Sequence, residues 1–152
     1  MNPYEELLSE VYEYKIIVKE KDLQGHDGLI FGNRIAIRTN LTTIQKSCVL
    51  AEEFGHYHMN TGDILNQKNL NNSKQEHMGR IYAYNHLIGL TGIVKAYEAG
   101  CQNQYETAEF LNVTEEFLTD AISAYRSKYG TFTTFNNYAI YFIPNLGVMK
   151  LL

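Results

Sequence analysis

The sequence predicts an α+β fold in which a helical core carries a small antiparallel sheet and is closed by a C-terminal helical unit of helix-turn-helix outline and a hairpin. Three observations predict it. Apolar residues recur at helical spacing behind capping residues near positions 2, 42 and 114, β-branched runs cluster at residues 16–18 and 29–37, and the chain closes on two aromatic-rich runs separated by Asn136-Asn137. At 152 residues the chain can bury roughly two-thirds of its unfolded surface. The expected division is a core over residues 1–100 and the helical unit with its hairpin over 101–152, packed as one compact domain.

The elements follow in order. Asn2-Pro3 with Glu5 and Glu6 starts a helix, with a capping side chain, proline at the first helical position and acids against the dipole. Leu7, Leu8, Val11 and Tyr12 supply its inner stripe. Ile16, Ile17 and Val18 then suggest a strand, and after the turn-rich residues 24–28 come two short strands, 29–31 and 34–37, joined by Gly32-Asn33 as a tight hairpin. In the last of these Ile35 and Ile37 alternate with Ala36 and Arg38, so one face packs on the core.

Thr42 or Thr43 caps a long helix reaching about Met59, whose inner side carries Ile44, Ser47, Cys48, Ala51, Phe54, Gly55 and His58. Ala51 and Gly55 are small enough to let another backbone approach. Thr61-Gly62-Asp63 ends the helix, residues 66–73 read as a loop, and a further helix starts near Lys74. Helical stretches over 93–99, 105–111 and 114–128 precede a hairpin formed by 131–135 and 138–143.

Composition excludes several classes. Cys48 and Cys101 are the only cysteines, and no secretory apolar region follows Met1, so a reducing, cytoplasmic location is expected. No apolar run approaches the ~20 residues needed to cross a bilayer. A net charge of −4 gives a general polyanion-binding role little support.

The stretch Leu50-Ala51-Glu52-Glu53-Phe54-Gly55-His56-Tyr57-His58 carries the chemistry, being one residue away from the helix-borne metal signature His-Glu-x-x-His. On a helix, Glu52 and His56 stand one turn apart on one face, the spacing at which two side chains can hold a single ion. Glu53, about 100° further round, is placed beside that ion as a general base. Cys48 also lies on this face, but about 12 Å of helix rise separates it from His56, so it reads as a buried structural thiol. His58 points away from His56 and reads as a packing or capping residue. His77 is either a supporting neighbour of Glu76 or exposed, His26 and His86 have no assigned role, and Tyr57, Tyr82 and Tyr84 read as core packing.

Together with Thr61-Gly62-Asp63-Ile64, Lys74-Gln75-Glu76, Arg80-x-x-Ala83-Tyr84, the run from Tyr105 through Ala108 and Leu111 to Val113-Thr114-Glu115-Glu116-Phe117-Leu118, and Ile140-Tyr141-Phe142-x-Pro144-x-Leu146-Gly147-Val148, this stretch resembles the ImmA/IrrE metallopeptidases. The resemblance covers nearly the whole chain, and it is to the compact members coded beside repressors in phages and integrative elements of Gram-positive bacteria. It implies a zinc-protease-like helical core in which Glu52, His56 and Glu76 hold one divalent ion and Glu53 is the general base. Many members have histidine at the position of Glu52. A carboxylate there adds negative charge, weakens the ion as a Lewis acid and shifts preference from zinc toward harder ions such as manganese. A three-ligand ion with an open position lowers the pKa of bound water from ~16 toward ~7, less so with two carboxylate ligands, so slow turnover is expected.

The implied function is a regulatory metallopeptidase that cleaves or inactivates a cognate helix-turn-helix repressor of a phage or mobile element. Two alternatives stand beside it: a catalytically silent antirepressor acting by protein contact, and a DNA-binding regulator using residues 104–125. The last segment has the helix-turn-helix outline, with Ala108 inside its first helix, Leu111-Asn112-Val113 across the turn and Leu118 and Ile122 inside the second. Its would-be recognition helix, however, opens on Glu115, Glu116 and Asp120, which repel phosphate.

Overall fold

The computed structural model describes residues 1–60 and 72–151, and of Asn60, Asn72 and Ser73 the backbone alone. The chain divides into two compact units, residues 1–83 and 84–152. The expected helix end at 61–63 and most of the expected loop at 66–73 lie outside the described residues.

The first unit opens with α1 (Pro3–Tyr12), whose capping box is complete: the Glu5 amide donates to Asn2 Oδ1 at 2.8 Å and the Asn2 amide to Glu5 Oε1 at 3.4 Å. Its buried stripe is Tyr4, Leu7 and Val11, while Tyr12, expected inside, is 55% exposed. Tyr12 lies one residue past Val11, about 100° off the stripe. The Tyr4 hydroxyl donates to Glu20 Oε2 on the first strand.

Three strands follow: β1 (Ile17–Lys21), β2 (Gly28–Phe31) and β3 (Arg34–Arg38), in the order β1-β3-β2. β2 and β3 form the expected antiparallel hairpin, Phe31 opposite Arg34, with Gly32 at φ 62° supplying the left-handed position of the turn. β1 joins β3 in parallel, Ile17 opposite Arg34 through Lys21 opposite Arg38, a pairing that the strand signals alone do not specify. β3 takes the centre because its alternation is the cleanest: Ile35 and Ile37 are almost wholly buried.

Behind β2 and β3 packs α2 (Thr43–Asn60). Thr42 is its cap, accepting from the Gln45 amide at 3.1 Å while its own amide donates to Gln45 Oε1 at 2.9 Å. Ser47, Cys48, Leu50, Ala51, Phe54 and Gly55 are buried, but Ile44, expected inside, is 39% exposed in the first turn. Each fully buried residue the size of Leu50 or Phe54 contributes about 1.5–3 kcal/mol of transfer free energy. α3 (Asn72–Leu87) begins two residues before the expected Lys74 and runs across the boundary between the units.

In the second unit, α4 (Gly89–Glu98) starts earlier than the periodicity predicted because Gly89, at φ 64°, lets the chain turn into it. The Gly89 amide donates to Tyr125 Oη at 3.2 Å, and the Tyr125 hydroxyl donates to Asn85 Oδ1 at 3.0 Å. α5 (Gln104–Leu111) and α6 (Glu115–Tyr129) reproduce the predicted helix-turn-helix outline. Asn112 is left-handed at the turn, Thr114 caps α6, and Ala108, Val113, Leu118 and Ile122 are buried. The hairpin β4 (Phe132–Phe135) and β5 (Tyr138–Tyr141) gains a third antiparallel strand, β6 (Gly147–Lys150), on the side of β5.

Candidate metal centre

Helix α2 puts Glu52, Glu53 and His56 on adjoining positions of its surface. Two glycines shape that surface. A Cβ on residue 28 would press on Val49 and come within 3.2 Å of Glu53 Cγ, so Gly28 lets β2 lie directly over the Glu53 turn. A Cβ on residue 55 would collide with the Gly79 carbonyl, and a Cβ on residue 79 would meet the His56 ring, 3.0 Å from Nε2 and nearer still to Cδ2. Gly55 and Gly79 thus bring α2 and α3 together backbone to backbone, and the His56 imidazole fills the space over Gly79. The expectation of a close approach at Gly55 is met by a glycine that sequence reasoning passed over. A glycine inside an otherwise helical run was its available signal.

Glu53 is buried, and its Oε1 lies 3.1 Å from His56 Nδ1. The carboxylate can only accept, so in the neutral ring this hydrogen bond assigns the proton to Nδ1 and leaves the lone pair on Nε2. Nε2 is buried and has no hydrogen-bond partner among the described residues. The Glu53 hydrogen bond is the main cause that raises the His56 pKa above its ordinary value; burial opposes it, and the charges of Glu53, Glu52 and Glu76 add to it. Three carboxylates therefore bias this imidazole toward positive charge, the field a divalent cation would also meet.

Glu76 sits on α3 one turn before Gly79, on the same face. It is exposed, and its Oε1 is held by Arg80 Nη2 at 2.8 Å. Among the described residues no three histidine, cysteine, aspartate or glutamate side chains are grouped so as to hold one ion. Glu52 and His56 share α2, Glu76 reaches the imidazole through its charge, and Arg80 engages the Glu76 carboxylate.

The other side chains weighed for the site pack or face solvent. Cys48 is buried and is not part of a disulfide. His58 lies among the rings of Tyr14, Phe54, Tyr57 and Tyr82, with centroids 4.4–5.6 Å away. Tyr84 packs edge-on against Phe117 in the second unit, and His77 is exposed.

A family model described as Peptidase M78, IrrE N-terminal-like domain, matches residues 10–123. The chain belongs to the M78 peptidase family. Comparison with curated proteins and with solved structures gives no match. Membership agrees with the α+β architecture, and α2 with Glu52, Glu53 and His56 lies within the matched residues. Membership in a metallopeptidase family suggests a metal, and one side chain, His56, suits one in a specific respect. His56 offers a buried, uncommitted Nε2 whose ring is fixed from behind by a carboxylate, the arrangement that orients metal-binding histidines.

Proposed function

We propose that this M78 domain is a regulatory metallopeptidase that inactivates the helix-turn-helix repressor of a phage or mobile element by cutting it, in the cytoplasm. The observation that carries the reading is the Glu53–His56 pair beneath β2, with Nε2 of the imidazole buried and uncommitted. His56 and Glu52, joined by Glu76 once it turns from Arg80, would hold the ion. When bound, that ion, zinc or the harder manganese, supplies a polarised carbonyl and a water of lowered pKa. Glu53 fixes the imidazole through Oε1 and Nδ1, and as general base it would take a proton at its other oxygen, Oε2, and return it to a leaving amine. β2 is an edge strand lying over Glu53, so an extended segment of substrate can add along its free rim and bring a peptide bond to the carboxylate.

A second reading keeps the fold and drops the chemistry, an antirepressor acting by contact alone. The Glu76–Arg80 ion pair is the observation on its side, because that pair must be broken before Glu76 can reach an ion. A DNA-binding role has less support: Glu115, Glu116 and Asp120 are exposed on the first turns of α6, where a DNA reader would carry arginine or lysine. No described helix is long and apolar enough to cross a membrane.

The deciding experiment is Glu53→Gln in cells carrying the element. An amide oxygen can still accept from His56 Nδ1, so the ring stays in place while proton transfer is lost. Repressor cleavage should fall by about two to four orders of magnitude. Full induction by the variant would give the contact-only reading the lead.

A further inference from the structure

The sheet of the first unit has one face on α2 and another that nothing among the described residues covers. Along the strands the side chains alternate: Glu20 and Lys46 form an ion pair at 2.8 Å on the inner side, where Ile35 and Ile37 are also buried. The outer side bears Ile17 and Leu29, each 44% exposed, and Phe31, 87% exposed. They line a groove of about 310 Å³ together with Lys19, Lys21 and Arg34, within the usual size range of a binding pocket.

The charge of this groove runs against that of the chain. The protein carries a net −4, yet the groove is lined by three basic residues and no acidic one. None of the three forms an ion pair with a described residue. Lys19 and Lys21 on the edge strand β1 also guard a sheet edge, but edge protection does not call for a phenylalanine and two aliphatic residues set between the cations.

From this complementarity we propose that the outer face of β1-β3-β2 is a docking surface for an acidic segment of a partner protein carrying at least one bulky apolar side chain. The apolar side chain enters the groove beside Phe31 and Leu29, and carboxylates of the same segment meet Lys19, Lys21 and Arg34. A groove of about 310 Å³ between the cations admits a side chain of a peptide, which a layer of lipid headgroups does not supply. The surface lies on the opposite side of the sheet from Glu53, so it is independent of whether the α2 centre is catalytic.

The test is selection of a displayed library of random short peptides on the whole protein, run in parallel on Phe31→Ser and on Lys19→Glu/Arg34→Glu. All three positions are exposed, so the fold is retained, which circular dichroism checks. Peptides enriched on the wild type and lost on both variants should be rich in aspartate and glutamate around leucine or phenylalanine. Their affinity should fall at least tenfold in each variant and should weaken with added salt. Enrichment that is the same on all three proteins, or variant-sensitive peptides that are basic or lack acids, overturns the proposal. So does variant-sensitive binding to phosphatidylserine vesicles without any such peptide.

Discussion

Gly79 lies so close to His56 that any side chain at residue 79 would occupy the space of the imidazole. The interior position of α3 that looks weakest by helix propensity is therefore the one that seats the candidate metal-binding ring. Gly79→Ala should cost about 1–3 kcal/mol through overpacking, despite alanine's better helix propensity. Gly147→Ala, where a Cβ meets nothing within 4 Å, is the matched control. Thermal denaturation of the two variants checks this, and equal midpoints would show that α2 and α3 do not meet at Gly79.

Acid sensitivity should centre on Glu20. The hydrogen bond from Lys46 is the main cause holding its carboxyl below the usual range; burial opposes it and the Tyr4 hydroxyl assists. A carboxyl whose folded pKa is lowered stabilises the fold above its unfolded value and loses that contribution as pH falls through the folded value. Glu20→Gln should accordingly be less stable than the wild type at neutral pH, with the two denaturation curves converging as pH falls through the lowered folded value. A gap that stays constant with pH would contradict the assignment.

Much of this was legible in the sequence, where the signal is local. The capping box at Asn2 and Glu5, the Thr42 cap, the Gly32 turn, the left-handed Asn112 and the alternation in β3 all depend on residues within four positions of one another. So does the one-turn spacing of Glu52 and His56. What was not legible depends on distant parts of the chain: the parallel pairing of β1 with β3, the third strand β6, and the seat that Gly79 makes for His56. The Glu53–His56 hydrogen bond is only three residues long. A three-residue spacing alone does not say whether Glu53 turns to the His56 ring or to an ion beside it.

The second unit offers a separate check on its own polar core. Tyr125 accepts from the Gly89 amide at the start of α4 and donates to Asn85, and burial pushes its hydroxyl well above the usual tyrosine pKa. Tyr125→Phe leaves that amide without its partner, which should destabilise the chain by about 1–3 kcal/mol. Urea denaturation measures it; an unchanged midpoint would mean that water replaces the hydroxyl without loss.

The acidic start of α6 bears on the partner. Under the proposed function, the basic surface of a DNA-binding repressor would be drawn to Glu115 and Glu116. Reversing both to lysine should weaken repressor association in a salt-dependent way while conferring no specific affinity for an operator fragment. A mobility shift of that fragment by the unaltered protein at physiological salt, with no repressor present, would instead favour DNA binding.

Metal analysis of the protein purified without chelator or histidine tag tests the central claim most directly, read on the wild type, His56→Ala and Glu53→Gln with the fold of each checked by circular dichroism. The proposed centre predicts one divalent ion per chain in the wild type, none in His56→Ala and an undiminished content in Glu53→Gln. Metal content that is unchanged when His56 is removed would contradict it.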